Sequence, residues 1–264
     1  AQQVALAIQN ERLNQEMVGR ERLEKEFQLA RQIQRTFLPK KLPDLPGWAL
    51  DLRWQTAREV GGDFYDVLRV GKDAVGIVIA DVSDKGMPAA LYMTVTRTLL
   101  RSMAANEKSP SRVLARVNRS LMFDEQNSMF VTLFYGVINP TTGEMTFANA
   151  GHNRPYIYRA KSKNLEQLTK GGLALGVIEK SNLEDTVTTL EPGDLLLLFT
   201  DGVTESFSPD NETFGDERVA ALLKKHGHKG VCDLLEEIES RLNEFRAGLP
   251  PSDDLTILAV QRLV

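Results

Sequence analysis

The apolar positions of the first 37 residues recur with the spacing of a helix. This segment contains one glycine, Gly19, no proline, and many good helix formers. The large apolar residues that mostly fit a helical stripe are Val4, Leu6, Ile8, Leu13, Met17, Leu23, Phe27, Ile33 and Phe37. Pro39 and Pro43 follow, and proline ends helices because it lacks an amide hydrogen and disfavours helical backbone in the residue before it. The pattern predicts one long helix over residues 1–37.

The surroundings of this helix are open to two interpretations. Leu6, Leu13 and Phe27 share a seven-residue frame, but Arg20 interrupts it. A coiled coil needs three or more regular heptads, and this segment has barely that many. The helix therefore either lies on its own domain with one solvated face, or forms a two-stranded coiled coil that links a sensor to an output domain and makes the chain a homodimer.

Beyond Pro43, short runs of strand-forming residues alternate with turns, and helical patterns arrive in pairs. The predicted strands are 48–56, 64–70, 74–81, 131–138, 145–150, 155–158, 186–190, 195–200 and 255–261. The predicted helices are 88–105, 110–122 and 216–246, the last with a break at residues 226–228. Grouped strands with hairpin signals, as at residues 139–143, favour an α+β fold with mainly antiparallel sheets. We expect a helical linker at residues 1–38 and one domain at residues 39–264.

Composition narrows the class of protein. With 264 residues, 42% of them hydrophobic, the chain can bury one sizeable core and carry an appendage. Its formal charge is −4 and no basic block stands out, which argues against a nucleic-acid partner. The single cysteine, Cys232, rules out a disulfide framework within the chain and a cysteine-rich zinc site. These features suit a reducing, cytoplasmic setting.

Hydropathy and the first residue give two further expectations. No apolar run is long enough to span a bilayer, and no basic leader precedes an apolar stretch, so we expect no membrane segment in this sequence. Because the first residue is Ala1, we expect a fragment of a longer protein.

Four acidic clusters stand where predicted strands begin or end. They lie in residues 60–66, 77–86, 195–203 and 252–258, and they place Asp63, Asp81, Asp201, Asp253 and Asp254 beside strands. A strand held in a core aims such a carboxylate rigidly. An isolated Asp-Gly is usually a turn that bonds its own backbone, but four clusters at strand edges are better explained by a shared site. Carboxylate oxygens suit Mg²⁺ or Mn²⁺, and a pair of these ions can activate water and clamp a phosphoryl group.

Five segments, VGGDFYD, ADVSDKGMPAAL, NAGHNRPYI, LFTDGVTE and SDDLTIL, occur in this order. Together they resemble the SpoIIE-type, bacterial branch of the PPM family of metal-dependent serine/threonine protein phosphatases. The resemblance covers residues 30–264. It implies a four-layer α-β-β-α sandwich of two antiparallel sheets flanked by helices, with a centre of two Mn²⁺ or Mg²⁺ ions at one edge. It also implies hydrolysis of phosphoserine or phosphothreonine by water, without a phosphoenzyme.

The resemblance assigns roles to individual residues. The implied metal ligands are four carboxylates and one backbone carbonyl, of Asp63, Asp81, Val82, Asp201 and Asp253. Asp81 is expected to bridge the two ions and to be catalytic. Asp254 is the alternative to Asp253, because adjacent acids leave the register ambiguous.

Gly86 is a candidate for contacting the substrate phosphate. It precedes Pro88 at the start of a predicted helix, and proline suits the first helical turn. The free amides of a helix N-terminus bind anions, and these would face the metal site.

Other polar residues near the motifs have less specific expectations. Glu59, Asp66 and Asp84 could ligate ions through water, but we favour a surface or structural role for each. His152 is either a general acid for the leaving serine oxygen or, as we favour, a residue that orders its loop. Solvated turn positions are expected for His226 and His228.

The leading functional hypothesis is a phosphatase that is the output domain of a signalling protein. The resemblance suggests a phosphorylated protein substrate of the STAS-type anti-sigma factor antagonist class. One alternative is a catalytically weak binding or sensor module with the same fold. Another is a two-metal nucleotide enzyme such as a cyclase, which lacks support because no Walker-type glycine loop is present. Residues 1–10 resemble the last helix of a GAF sensor domain.

Overall fold

Two five-stranded antiparallel sheets form the centre of the computed structural model, which describes residues 2–122, 128–169 and 171–264. The helices are α1 (Gln2–Phe37), α2 (Met87–Ala104), α3 (Pro110–Leu121), α4 (Asp201–Thr204), α5 (Gly215–His226) and α6 (Val231–Arg246). The strands are β1 (Trp48–Gln55), β2 (Phe64–Val70), β3 (Ala74–Val82), β4 (Val131–Ile138), β5 (Glu144–Ala150), β6 (Tyr156–Arg159), β7 (Asn164–Gln167), β8 (Thr186–Thr189), β9 (Leu195–Phe199) and β10 (Leu255–Arg262).

The strand orders define two sheets, which we call sheet A and sheet B. Sheet A has the order β1-β10-β9-β6-β7, and sheet B has the order β2-β3-β4-β5-β8. Every neighbouring pair is antiparallel. This confirms the predicted α+β class with antiparallel sheets.

Three apolar layers hold the sheets and helices together. The layer between the sheets contains Ile77, Ile79, Phe134, Phe147, Leu196, Leu198, Leu258 and Val260. Helices α2 and α3 cover the outer face of sheet B, and α5 and α6 cover the outer face of sheet A. Because side chains alternate along a strand, Val78 and Ala80 face α2 and α3 while Ile77 and Ile79 face the other sheet. Burial on both faces explains why β3 and β9 are continuous apolar runs.

Every predicted strand and helix occurs in the structure with slightly different ends, but the sequence did not predict two short elements. Strand β7 has the sequence Asn-Leu-Glu-Gln and lies at the edge of sheet A, where its side chains are exposed or half-buried. It therefore carries no strong apolar signal. Helix α4 is a single turn, which is too short to show a helical period.

Helix α1 projects from the sandwich over most of its length. The side chains of residues 11–26 are all exposed, and burial begins near the end of the helix at Gln34 and continues at Leu38. The interpretation in which the helix lies on its own domain is therefore wrong for these residues, and the coiled coil stays a prediction. The side chains of residues 1, 2, 4–8 and 10 lie outside the described part, so the likeness to a GAF helix also stays a prediction. In the ranges that the structure describes, every helix is too short or too polar to cross a membrane.

Candidate metal centre and active site

Two of the candidate acids, Asp63 and Asp81, lie at the ends of two paired strands of sheet B, at one edge of the sandwich. Strand β2 begins directly after Asp63 and pairs with β3, with Phe64 opposite Ala80. One step further in the same register, Asp63 falls opposite Asp81. Both acids follow the alternation that directs side chains toward sheet A, because Asp81 is in phase with Ile77 and Ile79.

Two inner strands of sheet A, β9 and β10, carry the other two acids at their ends. Strands β9 and β10 pair with Phe199 opposite Ile257, and the Thr200 amide donates to the Thr256 carbonyl at 3.0 Å. Asp201 follows this point at the end of β9, and Asp253 precedes the start of β10.

Hydrogen bonds from two threonines join these strand ends of sheet A to those of sheet B. The hydroxyls of Thr200 and Thr256 donate to Oδ2 of Asp63 at 2.7 and 2.6 Å. Asp63 is 1% exposed, and its Oδ1 atom accepts no hydrogen bond from any residue that the structure describes. Asp63 thus reaches from sheet B to sheet A, with one buried oxygen left for another partner.

The acids at this edge oppose one another's ionisation. Burial, followed by the charges of Asp201 and Asp253, raises the pKa of Asp81 to about 8. Burial and the charge of Asp253 raise the pKa of Asp201 to about 6. The pKa of Asp63 is raised well above its ordinary value by burial and then by Asp81 and Asp254. A cation at this edge would relieve all these repulsions at once.

The chemistry of the donor atoms fits a hard divalent cation. The candidate ligands are carboxylate oxygens and the carbonyl oxygen of Val82, as Mg²⁺ and Mn²⁺ prefer. A Cβ atom on Gly62 would lie 2.9 Å from that carbonyl oxygen, so glycine keeps the space in front of it open. However, no three His, Cys, Asp or Glu side chains in the described ranges are gathered tightly enough to form a ready-made metal site. The acids form a looser group.

Lys85 forms an ion pair with one of these acids. Its Nζ atom lies 2.6 Å from Oδ2 of Asp253 and donates to the Ser252 carbonyl at 2.8 Å. The ammonium group thereby neutralises one candidate ligand and ties the turn after β3 to the turn before β10.

The adjacent acids Asp253 and Asp254 have different surroundings. Oδ1 of Asp254 accepts from the Ala57 amide at 2.8 Å, and Oδ2 accepts from the Gly62 amide at 2.7 Å. Asp254 is therefore engaged in holding the loop before Asp63. This favours Asp253 over Asp254 as a metal ligand.

Gly86 immediately precedes α2, which begins one residue earlier than predicted. Its φ and ψ angles of 79° and −147° belong to a region that only glycine adopts readily. No described atom lies within 4 Å of a Cβ placed there. Helix α2 thus begins five residues beyond Val82 in the chain, with open space beside Gly86.

Of the three acids expected to have surface or structural roles, two are exposed and one is buried beside arginines. Glu59 and Asp84 are exposed, and Asp84 occupies a turn with φ of 69°. Asp66 is fully buried on the outer face of sheet B, where its Oδ2 atom lies 2.7 Å from Arg97 and 3.2 Å from Arg101 of α2.

His152 holds together the loop in which it lies. Its amide and carbonyl are both bonded to the Asn149 side chain, at 2.7 and 3.0 Å, and Nδ1 lies 2.9 Å from the Thr132 hydroxyl. Burial lowers the pKa of His152 to about 3, which leaves it uncharged near neutral pH. These contacts favour loop ordering over general acid catalysis.

The expectation for His226 is wrong. The helix break is present between α5 and α6, and His228 is exposed, but His226 is only 5% exposed. It follows Val219 and Leu223 on the inward stripe of α5, and its Nε2 atom lies 3.8 Å from Glu237. The helical spacing from Val219 was the signal that sequence reasoning missed.

Sequence reasoning also missed Thr200, Thr256 and Lys85 as members of the site. Thr200 and Thr256 are in phase with the inward residues Leu198 and Leu258, so strand alternation could have identified both hydroxyls. Lys85 had no such signal, because its partners lie 167 and 168 positions further along the chain.

Comparisons with known proteins identify the family of this chain. The family model described as stage II sporulation protein E, or SpoIIE, matches residues 71–263, which is more than half of the chain. Protein IcfG of Synechocystis is 33% identical over 90% of this chain and 41% of IcfG. The phosphoserine phosphatase RsbU of Bacillus subtilis is 29% identical over 92% of this chain and 71% of RsbU. The chain thus spans less than half the length of IcfG.

Solved structures show the same fold. The SiaA-PP2C domain of Pseudomonas aeruginosa matches with a TM-score of 0.83 at 22% identity, covering 92% of this chain and 98% of that domain. A structure of the PP2C phosphatase domain of SpoIIE from Bacillus subtilis, with a fragment of its regulatory domain, matches with a TM-score of 0.70 at 19% identity and covers 83% of this chain and 64% of that one. From the family match, the five ordered motifs and the shared sandwich, we conclude that the chain belongs to the SpoIIE family.

Proposed function

We propose that this chain hydrolyses phosphoserine or phosphothreonine on a regulatory protein, at a centre of two Mn²⁺ or Mg²⁺ ions. The observation that carries the proposal is that Asp63, Asp81, Asp201 and Asp253 lie near one another at one edge of the sandwich, where burial and then neighbouring carboxylates raise the pKa of Asp63, Asp81 and Asp201. Membership of the SpoIIE family and the likeness to RsbU, which is named a phosphoserine phosphatase, support the reaction class.

Each residue at this edge has a distinct task. The four carboxylates and the Val82 carbonyl would hold the ions. Divalent cations bound there would supply a water of lowered pKa and neutralise the charge on the phosphoryl group. The hydroxyls of Thr200 and Thr256 fix the orientation of Asp63. Gly86 and the amides that begin α2 would orient a phosphoryl oxygen.

The proposed substrate is a phosphorylated protein of the STAS-type anti-sigma factor antagonist class, as the family resemblance suggests. In this proposal the chain is the cytoplasmic output domain of a signalling protein. Residues 1–38 would transmit a signal to it as a paired helix.

A phosphatase-fold binding module with weak turnover is the second candidate. Two observations favour it: the acids are not gathered tightly around one point, and Lys85 already neutralises Asp253. The two candidates differ in whether divalent cations restore hydrolysis.

Phosphate release from a phosphoserine protein decides between them. We expect turnover with Mn²⁺ or Mg²⁺, none with a chelator, and loss of turnover in Asp81→Asn with the circular dichroism spectrum unchanged. Asp84→Asn is the matched control, because Asp84 is exposed and asparagine tolerates its positive φ. Turnover with a chelator present, or equal turnover in wild type and Asp81→Asn, would refute the phosphatase mechanism. A folded wild type that binds Mn²⁺ without turnover would favour the binding module.

A further inference from the structure

A buried glutamine joins the end of helix α1 to the loop before Asp63. Gln34 is 4% exposed, whereas its neighbours on both sides in the chain are exposed. Its Nε2 atom donates to the Gly61 carbonyl at 2.5 Å, and its Oε1 atom accepts from the Gly61 amide at 3.2 Å. One side-chain amide therefore satisfies both backbone groups of a single residue, as a neighbouring strand would.

The loop that is hydrogen-bonded to Gln34 leads directly to the candidate metal centre. Gly61 lies two residues before Asp63, between the end of β1 and the start of β2, where no strand pairing supports the backbone. On its other side, the Asp254 carboxylate accepts from the Ala57 and Gly62 amides. The loop is thus held from one side by α1 and from the other by the residue that follows Asp253.

The close fit leaves no room for a side chain at Gly61. A Cβ atom there would lie 2.2 Å from Oδ2 of Asp254 and 2.9 Å from the Thr56 methyl group. Asp254 contacts the loop on the side of β10, and Gln34 contacts it on the side of α1. The position of this loop sets the position of Asp63, which directly precedes β2.

Only a glutamine-like side chain can make both bonds. An amide offers a donor and an acceptor, whereas a carboxylate has two acceptors and would face the Gly61 carbonyl with an oxygen. A methionine fills similar space but leaves a buried amide and a buried carbonyl without partners. The choice of residue at position 34 is therefore a matter of chemistry and not only of packing.

We propose that Gln34 is a positioning residue for the reaction: it fixes Gly61 so that Asp63 stays between Asp81 and the hydroxyls of Thr200 and Thr256. The proposal rests on the proposed function in one respect, which is the role of Asp63 as a metal ligand. It goes further by assigning to α1 a direct hydrogen-bonded hold on a ligand loop.

The test uses Gln34→Met in the full 264-residue chain, with Gln28→Met, an exposed glutamine on the same helix, as the matched control. We expect the Mn²⁺ dissociation constant from titration calorimetry to rise about tenfold in Gln34→Met. Hydrogen exchange at the Gly61 and Gly62 amides should be faster in the same variant. Gln28→Met should match wild type in both measurements.

Gln34→Glu keeps the inference testable if Gln34→Met does not fold. It retains an acceptor for the Gly61 amide, so protection of that amide should fall between wild type and Gln34→Met values. Wild-type exchange in either folded Gln34 variant would overturn the proposal, as would wild-type Mn²⁺ affinity combined with only a lower melting temperature.

The exchange measurement also separates this inference from the proposed function. A wild-type chain that binds no Mn²⁺ refutes the metal mechanism. Faster exchange at Gly61 in Gln34→Met would then still support the hold of α1 on the loop, and unchanged exchange would overturn it.

Discussion

Asp63 and Asp66 are two buried carboxylates three positions apart, and their surroundings differ in one essential respect. Asp66 faces Arg97 and Arg101 of α2, so the chain supplies its counter-ions. Asp63 faces two hydroxyls and other acids, and no described cationic side chain forms an ion pair with it. An unneutralised buried carboxylate is costly unless something else supplies positive charge. The contrast assigns Asp66 a structural role and supports the proposal that Asp63 binds a cation.

The same contrast predicts that removing the charge of Asp63 mainly lowers activity, whereas removing that of Asp66 mainly lowers stability. Asp63→Asn should lower kcat/KM for a phosphoserine protein by about a hundredfold or more, because a proposed ligand is lost. Its melting temperature without metal should be unchanged or higher, because a repelled, buried charge is removed. Initial rates with Mn²⁺ and thermal denaturation in a chelator measure the two effects. A large loss of stability with intact turnover would show that Asp63 is structural.

Asp66→Asn should show the opposite pattern. Removing one partner of a buried ion pair leaves the other charge uncompensated, so unfolding free energy should fall by about 3 kcal/mol. Burial raises the pKa of Asp66 despite the two arginines, so the cost comes from stranding Arg97 rather than from losing a strongly stabilising pair. Urea denaturation measures the change.

Replacing Asp66 together with the more buried of its two arginines, as in Asp66→Leu with Arg97→Met, is the control, and it should recover much of the lost stability. An Asp66→Asn variant as stable as wild type would remove the distinction drawn between the two acids.

How much of this contrast the sequence could reveal depends on the range of each interaction. The strands, the acidic strand ends and the α+β class follow from local patterns, and the structure agrees with them. The odd spacing between Asp63 and Asp66 already places them on opposite faces of an extended segment. Their partners were not predictable, because Arg97 and Thr256 lie 31 and 193 positions further along the chain from Asp66 and Asp63.

Gln34 and His226 illustrate the same limit. A polar residue within a helix of mostly exposed residues reads as solvated, and only the fold reveals that Gln34 meets Gly61. His226 reads as a turn residue because it lies at a helix break, yet α5 packs against sheet A on the side that carries it. Burial depends on which face of each helix meets a sheet, and apolar spacing alone marks that face weakly when the residue is polar.

The effect that is smallest per step is a dependence of stability on pH, which the metal should abolish. In the chain without metal, the folded-state pKa is about 8 for Asp81 and about 6 for Asp201, both above the ordinary value of 3.8. The folded state therefore binds more protons than the unfolded state between about pH 4 and pH 8. This contribution to stability is present below pH 4 and is lost as the pH rises toward 8, with a slope on the order of 1 kcal/mol per pH unit.

Thermal denaturation in a chelator between pH 5 and pH 8 measures this slope, and Asp81→Asn should flatten it because the most strongly shifted group is gone. Saturating Mn²⁺ should flatten it in the wild type, since a bound cation favours the ionised carboxylates and so lowers their pKa values. Asp66→Asn should leave the slope between pH 6 and pH 8 in place, because Asp81 is untouched. A wild-type chain whose stability in chelator rises with pH would mean that these acids do not repel one another, and the distinction between Asp63 and Asp66 would lose its electrostatic basis.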